Sequence, residues 1–334
     1  MKRILYIANF TPGLGGISGQ VEYLVRNLSR DEAYFTEIFT TKRSFLKRIL
    51  CFFSLLNQSR SFDTLHVHGC SFRGFLPIVY GVIVGKIWKK KIIITYHGGD
   101  ADQFFAKHPQ WVKFWLMKAD ERVVLSGFLK AVFNKYSIPA LIIPNIVDLP
   151  DDVYIEKTKL LPRFICVRHL RDLYNIPCVL RAFERVQSKV QEATLTLLGE
   201  GDKREELERF VANRKLNHVR FVGQVPNGEV GSFLRENDIL LSAPRIDNMP
   251  VSLLEAFSAG LLVISSNVGG VPYMVEHGRT GLLFKSDHDE EMAEQMLWAL
   301  ANQDESLRII RNAKEEVLKY SWEKVGEQIR ALYE

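Results

Sequence analysis

Between residues 238 and 265 two short apolar runs flank a helical segment, and this pattern restricts the fold more than any other stretch. The runs at 238–242 and 261–265 predict two buried strands, and the segment between them predicts a polar loop followed by a helix. A strand followed by a helix and a second strand is the repeating unit of a parallel sheet. The chain is therefore predicted to be an α/β protein with a parallel sheet.

Two acidic residues in this unit indicate a ligand site. Asp247 is in the loop that follows the first strand, and Glu255 is in the helix among apolar neighbours. A carboxylate on a helix face that packs against a sheet is costly to bury unless it has a partner. A pair of ligand hydroxyls in the crevice outside the strand ends is one such partner. The alternative is an ordinary surface Asp and a Glu neutralised by a nearby arginine.

Length and composition predict two domains in a reducing compartment. A chain of 334 residues with 47% apolar residues suits two domains of about 150 residues each. The four cysteines, at 51, 70, 166 and 178, have no paired spacing, which favours neither disulfides nor a zinc site. The N-terminal apolar run is too short for a signal peptide, and no uncharged apolar stretch approaches the length of a membrane span. A cytoplasmic protein is therefore expected.

The two halves of the chain differ in charge. Residues 1–148 contain 20 Lys and Arg against 10 Asp and Glu, whereas the remainder contains 24 against 29. A basic half indicates an anionic surface or substrate, and no nucleic-acid recognition motif accompanies it. The segment 42–59 predicts a basic amphipathic helix rich in Phe and Leu, and 86–91 and 104–118 also combine basic and aromatic residues. These segments predict docking on an anionic membrane surface; a domain helix with an exposed basic edge is the alternative.

The first half begins with a strand, a glycine-rich loop and a helix. The strand is predicted at 2–8 and the helix at 17–28, with Gly13, Gly15 and Gly16 between them. These glycines lack the dinucleotide-binding spacing, and the loop lacks the P-loop lysine. A close backbone approach next to a helix N-terminus suits a phosphate or a sugar; a plain turn is the alternative.

Histidines occur at two further strand ends in this half. His66 and His68 alternate along a predicted strand and therefore share a face, but no third metal ligand is close to them in sequence, so structural or substrate-side roles are expected. His97, Gly98 and Asp100 follow the predicted strand 92–96. Glycines there allow a ligand close to the backbone, and the carboxyl ends of strands face the crevice.

The segment Arg245–Gly260 resembles the acidic motif of retaining GT-B glycosyltransferases of family 4, with Asp247 in place of the more usual Glu. The segment 144–148, Pro-Asn-Ile-Val-Asp, is similar to the link between the two halves of these enzymes. The resemblance implies two Rossmann-like domains facing a central cleft, with a C-terminal helix that crosses back to the first domain. It places the N-terminal, acceptor-side domain at 1–146 with 321–334 packed on it, and the nucleotide-sugar-binding domain at 147–320.

The resemblance also implies site residues. His97 and Asp247 would contact the donor sugar during transfer, and Glu255 would bind the nucleotide ribose. The residues implied in donor binding are Gly15, Gly16, Gly199, Val222, Gly223, Asn248, Met249, Pro250, Val251 and Glu255. Gly98 and Asp100 would lie on the acceptor side.

One departure from the family concerns the cations that bind the diphosphate. The family usually has an Arg and, five residues later, a Lys, but the corresponding positions here are His169 and Tyr174. A diphosphate leaving group still needs positive charge to stabilise it. Arg168 or Arg171, on either side of the first position, is predicted to take this role.

The function implied is retaining transfer of a hexose from a nucleotide diphosphosugar, UDP- or GDP-linked, to a hydroxyl of a lipid-linked or cell-envelope glycan. No cofactor and no metal are expected, and the reaction would take place at the inner face of the plasma membrane. The alternatives are a transferase with a small soluble acceptor and a sugar-nucleotide-binding protein whose transfer site has decayed. A dehydrogenase is disfavoured because the Gly13–Gly16 loop lacks the dinucleotide fingerprint.

Overall fold

A computed structural model of the chain describes residues 1–42, 48–148 and 154–334. It divides into two compact units, Met1–Ile146 with Trp322–Glu334, and Val147–Ser321. The second unit ends at Ser321, one residue later than the predicted limit at 320. Residues 43–47 of the basic helix predicted at 42–59 lie outside the described residues.

The first unit contains one sheet of six parallel strands in the order β2-β1-β3-β4-β5-β6. The strands are β1 Lys2–Ala8, β2 Tyr34–Thr40, β3 Thr64–Gly69, β4 Lys91–Tyr96, β5 Glu121–Val124 and β6 Leu141–Ile142. The helices are α1 Ile17–Leu28, α2 Arg48–Gln58, α3 Leu76–Ile87, α4 Ala101–Lys107, α5 Pro109–Leu116, α6 Gly127–Lys135 and, from the end of the chain, α13 Trp322–Ala331.

Helices cover both faces of this sheet, which explains why its central strands are apolar runs rather than alternating ones. Ile4 to Ala8 of β1 are fully buried. On one face α13 contributes Val325 and Ile329 to a cluster with Ile4 and Val21. The C-terminal helix therefore belongs to the core of the first unit.

The second unit also contains six parallel strands, in the order β12-β11-β10-β7-β8-β9. The strands are β7 Arg163–Val167, β8 Thr194–Leu198, β9 Val219–Gly223, β10 Ile239–Ser242, β11 Leu262–Ser266 and β12 Leu282–Phe284. The helices are α7 Ile176–Gln187, α8 Arg204–Asn213, α9 Val230–Arg235, α10 Val251–Ala259, α11 Asp289–Ala301 and α12 Gln303–Val317. This strand order is that of the Rossmann fold, and the predicted parallel α/β class is confirmed.

Each sheet has one point at which the chain reverses its direction of growth. In the second unit it lies between β7 and β10, and in the first it lies between β1 and β3. The loops that leave neighbouring strands there turn in opposite directions, which opens a crevice at the carboxyl ends of the strands. The charged or titratable side chains singled out from the sequence at strand ends lie near these two crevices.

Candidate active site

Arg168 is the central cation at the crevice of the second unit. It follows the last residue of β7, and its guanidinium donates to the hydroxyl of Ser242, the last residue of β10, with Nη2 at 3.1 Å from Oγ. Its Nη1 lies 3.3 Å from Oδ2 of Asp247, and the two side chains are only 10% and 19% exposed. An arginine has five N–H donors, so this one retains N–H groups for a further anionic partner.

Glycines set the path of the backbone around Arg168. A Cβ on Gly199 would lie 2.0 Å from the carbonyl oxygen of Arg168, and one on Gly201 would lie 2.2 Å from that of Leu170. Gly199 also has a φ of +143°, a region that side chains rarely adopt. Its amide donates to the carbonyl of Gly223, which has a φ of +87°. Gly199 and Gly223, both predicted to bind the donor, thus pack next to the segment that carries Arg168.

Tyr174 occupies the position where the family usually has lysine, and its ring lies beneath the guanidinium of Arg168. The distance from Arg168 Cζ to the ring centroid is 5.5 Å, within the range of a cation–π contact. The loop that carries Tyr174 is held by Arg245, which donates to the carbonyl of Asp172 at 2.7 Å and pairs with Asp287 at 3.1 Å. The aromatic replacement therefore orients a neighbouring arginine instead of supplying a charge of its own.

The loop that carries Asp247 is fixed by the glycine turn after β11. The amide of Gly270 donates to the carbonyl oxygen of Asp247 at 2.9 Å, and a Cβ on Gly269 would lie 2.0 Å from the same oxygen. The Asp247 carboxylate also accepts from the amide of Asn248 at 2.8 Å. Burial raises the pKa of Asp247, and the Arg168 charge and this amide bond oppose the rise.

Helix α10 begins directly after this loop. Pro250 precedes its first residue, Val251, and no side chain caps the helix start. Asn248, Met249 and Pro250, all predicted to bind the donor, are buried, and Val251 is partly exposed. The first N–H groups of an uncapped helix and its dipole favour a negatively charged ligand.

Glu255 lies one turn further along α10 and is partly exposed. Burial raises its pKa from 4.5 to about 7, although the Arg168 charge opposes the rise. Arg168 therefore acts electrostatically on both carboxyls of the sequence motif. In its ionised form the Glu255 carboxyl is a hydrogen-bond acceptor only.

The structure separates the two arginines that the sequence left as alternatives. Arg171 is exposed and has no ion pair within the ranges described, whereas Arg168 contacts Asp247 and Ser242. Val222 is partly exposed and Gly223 is buried at the end of β9.

In the first unit the predicted glycine loop connects β1 to α1. Gly15 and Gly16 are both exposed, and Gly16 has a φ of +65° at the start of the helix. A Cβ on Gly16 would meet nothing within 4 Å. The backbone conformation, and not a shortage of space, therefore requires glycine at this position.

The crevice of the first unit contains three neighbouring imidazole rings, and those of His66 and His68 are buried. His68 Nδ1 and His97 Nε2 are 2.9 Å apart. His66 contacts the hydroxyl of Tyr333 through Nδ1 at 2.7 Å and that of Thr95 through Nε2 at 2.8 Å. Burial lowers the pKa of His66 and of His97 to about 3 and that of His68 well below its usual value. All three rings are therefore neutral at pH 7.

The residues after His97 have mixed environments. A Cβ on Gly98 would lie 2.7 Å from Oγ of Ser71, so glycine is required there for packing. Asp100 is partly exposed and immediately precedes α4. Asp102, two residues on, pairs with Lys135 at 2.7 Å.

Sequence reasoning missed three parts of this geometry. It did not find the His68–His97 contact, the Ser242 hydroxyl that holds Arg168, or the stacking of Tyr174 on Arg168. The signal available for the first was only that β3 and β4 are consecutive strands. Their register, with Gly69 opposite Tyr96, brings His97 level with the end of β3 and is visible only in the structure.

Two features are absent from the described residues. No group of three or more His, Cys, Asp or Glu side chains in 1–42, 48–148 and 154–334 has a geometry suited to a metal ion. Within the same ranges, no helix combines the length and the apolarity that crossing a membrane requires.

The comparisons with known proteins agree with this geometry. A structure of HepE from Anabaena in complex with UDP-glucose superimposes with a TM-score of 0.81 over 99% of both chains, at 14% identity. At this identity the likeness shows the fold alone. The two Rossmann-like units define a GT-B fold.

The sequence matches are to glycosyltransferases. Residues 155–316 match the model of glycosyl transferases group 1. An uncharacterized glycosyltransferase of Methanocaldococcus jannaschii is 24% identical over all of this chain and 98% of its own length. A phosphatidyl-myo-inositol mannosyltransferase of Mycobacterium leprae is 29% identical over 48% of this chain and 40% of its own length. The matched residues 155–316 lie in the second unit, and their likeness to this family confirms the resemblance seen in the sequence.

Proposed function

We propose that the protein is a retaining, metal-independent hexosyltransferase that moves a sugar from a UDP- or GDP-linked donor to a hydroxyl of a lipid-linked or cell-envelope glycan. The observation that carries this proposal is the group formed by Arg168, Asp247, Glu255 and the uncapped start of α10. It combines a cation and free N–H groups for a diphosphate with two carboxyls for hydroxyl groups.

In the proposed reaction the bond between the anomeric carbon and the diphosphate oxygen breaks on the face where the acceptor bond forms. The acceptor hydroxyl loses its proton to the departing diphosphate oxygen, so no protein nucleophile is needed. Negative charge grows on the diphosphate as it leaves. Arg168 and the N–H groups at the start of α10 stabilise that charge, and Arg168 does so without releasing Ser242.

The remaining residues have binding roles in this proposal. Glu255 accepts hydrogen bonds from the ribose hydroxyls, and Asp247 accepts one from the donor sugar. His97 contacts the donor sugar, and Gly98 and Asp100 serve the acceptor. Gly15 and Gly16 bind the donor, and the open space next to Gly16 leaves room for a donor phosphate or sugar.

A membrane-associated acceptor is supported by one surface of the first unit. Helix α3 packs against both α2 and α5. Helices α2 and α5 expose Leu50 (68%), Phe53 (59%), Trp111 (46%) and Phe114 (53%). Segments 38–62, 64–99 and 103–119 contain no Asp or Glu. Apolar side chains among basic residues fit the interface of an anionic bilayer. We therefore propose that the protein docks on the cytoplasmic face of the plasma membrane.

A screen of nucleotide sugars tests the donor assignment. The full chain is heated with UDP, GDP and their glucose, N-acetylglucosamine, galactose and mannose derivatives, and donor hydrolysis is measured in parallel. A ligand that binds the native state at 100 times its Kd stabilises it by about 2.7 kcal/mol. One base should raise the melting temperature and the other should not. If no nucleotide sugar stabilises or is hydrolysed, the transferase proposal is wrong.

Vesicle binding tests the membrane assignment. Sedimentation with vesicles of phosphatidylglycerol and phosphatidylcholine at low salt should retain the wild-type protein, and phosphatidylcholine alone should not. The double variant Trp111→Ser/Phe114→Ser should bind at least ten-fold more weakly, since each aromatic group contributes apolar burial at the interface. Leu318→Ser is the matched control, because Leu318 is 53% exposed in the second unit. Wild-type protein that does not bind anionic vesicles at low salt would contradict the membrane assignment and favour the small soluble acceptor.

A further inference from the structure

The geometry points to His68 as a positioning residue that fixes the proton of His97 on Nδ1, so that His97 presents an N–H donor to its substrate. This inference deepens the proposed function, because it assigns the chemical character of a residue placed there in the transfer site. It rests on a hydrogen bond, on burial and on the count of protons that the two rings share.

The two rings share a single hydrogen bond. His68 Nδ1 and His97 Nε2 are 2.9 Å apart, and the rings are stacked with centroids 5.1 Å apart. A hydrogen bond between two imidazole nitrogens requires one to carry the proton and the other to carry the lone pair. Both rings are neutral, since burial lowers the pKa of each far below its usual value. Each ring therefore has one proton, and only two tautomer combinations satisfy the contact.

The second nitrogen of His68 decides between these combinations. His68 is 2% exposed, and its Nε2 is buried without a hydrogen-bond partner in the part of the chain that the structure describes. If His97 donated the bond, the proton of His68 would lie on this nitrogen as an orphaned donor. Buried N–H groups without partners are rarer than under-satisfied acceptors, and the unmet group costs about 1–3 kcal/mol. His68 therefore donates through Nδ1, and its Nε2 carries a lone pair.

The tautomer of His97 follows. Its Nε2 accepts the bond from His68, so its own proton is on Nδ1. This nitrogen has no hydrogen-bond partner among the described residues, and the side chain is partly exposed. His97 thus offers a neutral N–H to an oxygen lone pair of a sugar or phosphate group. It has no free basic nitrogen with which to take a proton from the acceptor hydroxyl.

Neighbouring groups hold His68 in place. Its ring lies 4.6 Å from the ring of His66 and 5.8 Å from that of Tyr6, centroid to centroid. His66 is itself fixed by Tyr333 and Thr95. Because His66 uses both of its nitrogens in these bonds, it is not available to satisfy Nε2 of His68.

Nuclear magnetic resonance of the ligand-free full chain labelled with ¹⁵N-histidine tests the tautomer. The His97 signals are assigned from their loss in His97→Gln. In the wild type, Nδ1 of His97 should have the shift of a protonated ring nitrogen and Nε2 that of an unprotonated one. In His68→Leu the two shifts should move towards those of a freely exchanging imidazole. A proton on Nε2 in the wild type overturns the inference, and this measurement decides even if His68→Leu fails to fold.

Kinetics separate this inference from the proposed function. With the best donor of the nucleotide-sugar screen, His68→Leu should lower kcat/KM about ten-fold, as expected for the loss of one oriented hydrogen bond. It should have no further effect in a His97→Gln background. Full activity of His97→Gln would show that His97 has no part in the transfer, and it would not contradict the tautomer assigned to His97. Additive losses in the double variant would show that His68 does not act through His97.

Discussion

The crevices of the two units have similar positions in their sheets but opposite electrostatic character. In the second unit a nearly buried arginine, Arg168, pairs with Asp247, and its charge opposes the rise in pKa of both Asp247 and Glu255. In the first unit desolvation keeps three neighbouring imidazoles neutral. A charged group suits a ligand whose charge changes during the reaction, whereas neutral rings supply directional hydrogen bonds.

Burial of a titratable side chain therefore has two outcomes in this protein, and the outcome depends on the partner of that side chain. At Asp247 the guanidinium of Arg168 opposes the effect of burial, so a charge can persist there. At His66 the partners are the hydroxyls of Tyr333 and Thr95. These uncharged groups form hydrogen bonds with a neutral ring and do not stabilise a positive charge on it. The same burial therefore leaves a charged group in one unit and a neutral group in the other.

Replacing Arg168 should have the largest effect on the reaction rate, because it removes the positive charge from the crevice of the second unit. Arg168→Ala is expected to lower kcat by about 100- to 1000-fold, the range found when a donor to a developing negative charge is lost. Arg171→Ala, three residues away and exposed, should change kcat less than three-fold. Steady-state rates of donor turnover measure both. A large loss in Arg171→Ala with little change in Arg168→Ala would reverse the assignment.

The two units should respond oppositely to pH. The histidines have a pKa near 6.5 when unfolded and about 3 for His66 and His97 when folded. The unfolded chain then binds more protons, so the first unit loses stability as pH falls below about 6.5. For Glu255 the folded pKa, about 7, exceeds the model value of 4.5. The folded state binds the extra proton, so the second unit loses stability as pH rises from about 4.5 through 7.

Hydrogen exchange at pH 7.5 and 5.0, corrected for intrinsic rates, measures this contrast in each unit separately. Since one pKa unit is worth about 1.4 kcal/mol, the first unit should lose about 2 kcal/mol or more at the lower pH. The second should gain on the order of 1 kcal/mol, because Glu255 is partly exposed and solvent screens its interactions. A change of the same sign in both units would contradict the opposite character of the crevices.

Replacing Glu255 of α10 tests whether the crevice of the second unit binds the nucleotide. Glu255→Gln should weaken binding of the preferred nucleotide about ten-fold, since hydrogen bonds to a charged acceptor are worth about 1.5–3 kcal/mol and the amide retains part of this. It should also remove most of the rise in stability of the second unit between pH 7.5 and 5.0. Isothermal titration with UDP or GDP measures the affinity. Glu192→Gln, an exposed residue of the same unit, is the matched control and should bind normally.

The fold was predictable because its determinants are local. The apolar runs of β10 and β11 and the spacing of Asp247 and Glu255 lie within one strand–helix–strand unit, so the sequence order alone places them at a strand end. The contacts that define the chemistry are not local. Arg168, and not Arg171, contacts Ser242, which lies 74 residues away in the sequence. This choice depends on the direction of each side chain after β7, and the sequence does not indicate it.

The same limit applies to the histidines. His66 and His68 were correctly expected to share a face of β3, because side chains alternate along a strand. Their partners come from β4 and from the C-terminal residues, and only the register of β3 against β4 brings His97 to His68. A contact 29 residues apart follows from sheet pairing, which periodicity does not specify.

The smallest effect concerns the ring beneath Arg168. Tyr174→Ala should lower kcat/KM about two- to five-fold, since a cation–π contact at a partly exposed site is worth about 0.5–1 kcal/mol. Tyr174→Phe retains the ring and should stay within two-fold of the wild type, which separates the ring from the hydroxyl. In an Arg168→Ala background, Tyr174→Ala should have no further effect, because the ring acts through the guanidinium. An equal loss in the Phe and Ala variants would instead show that the hydroxyl of Tyr174 carries the effect. The crevice of the second unit would then depend on a hydrogen bond of this hydroxyl and not on the contact between the ring and Arg168.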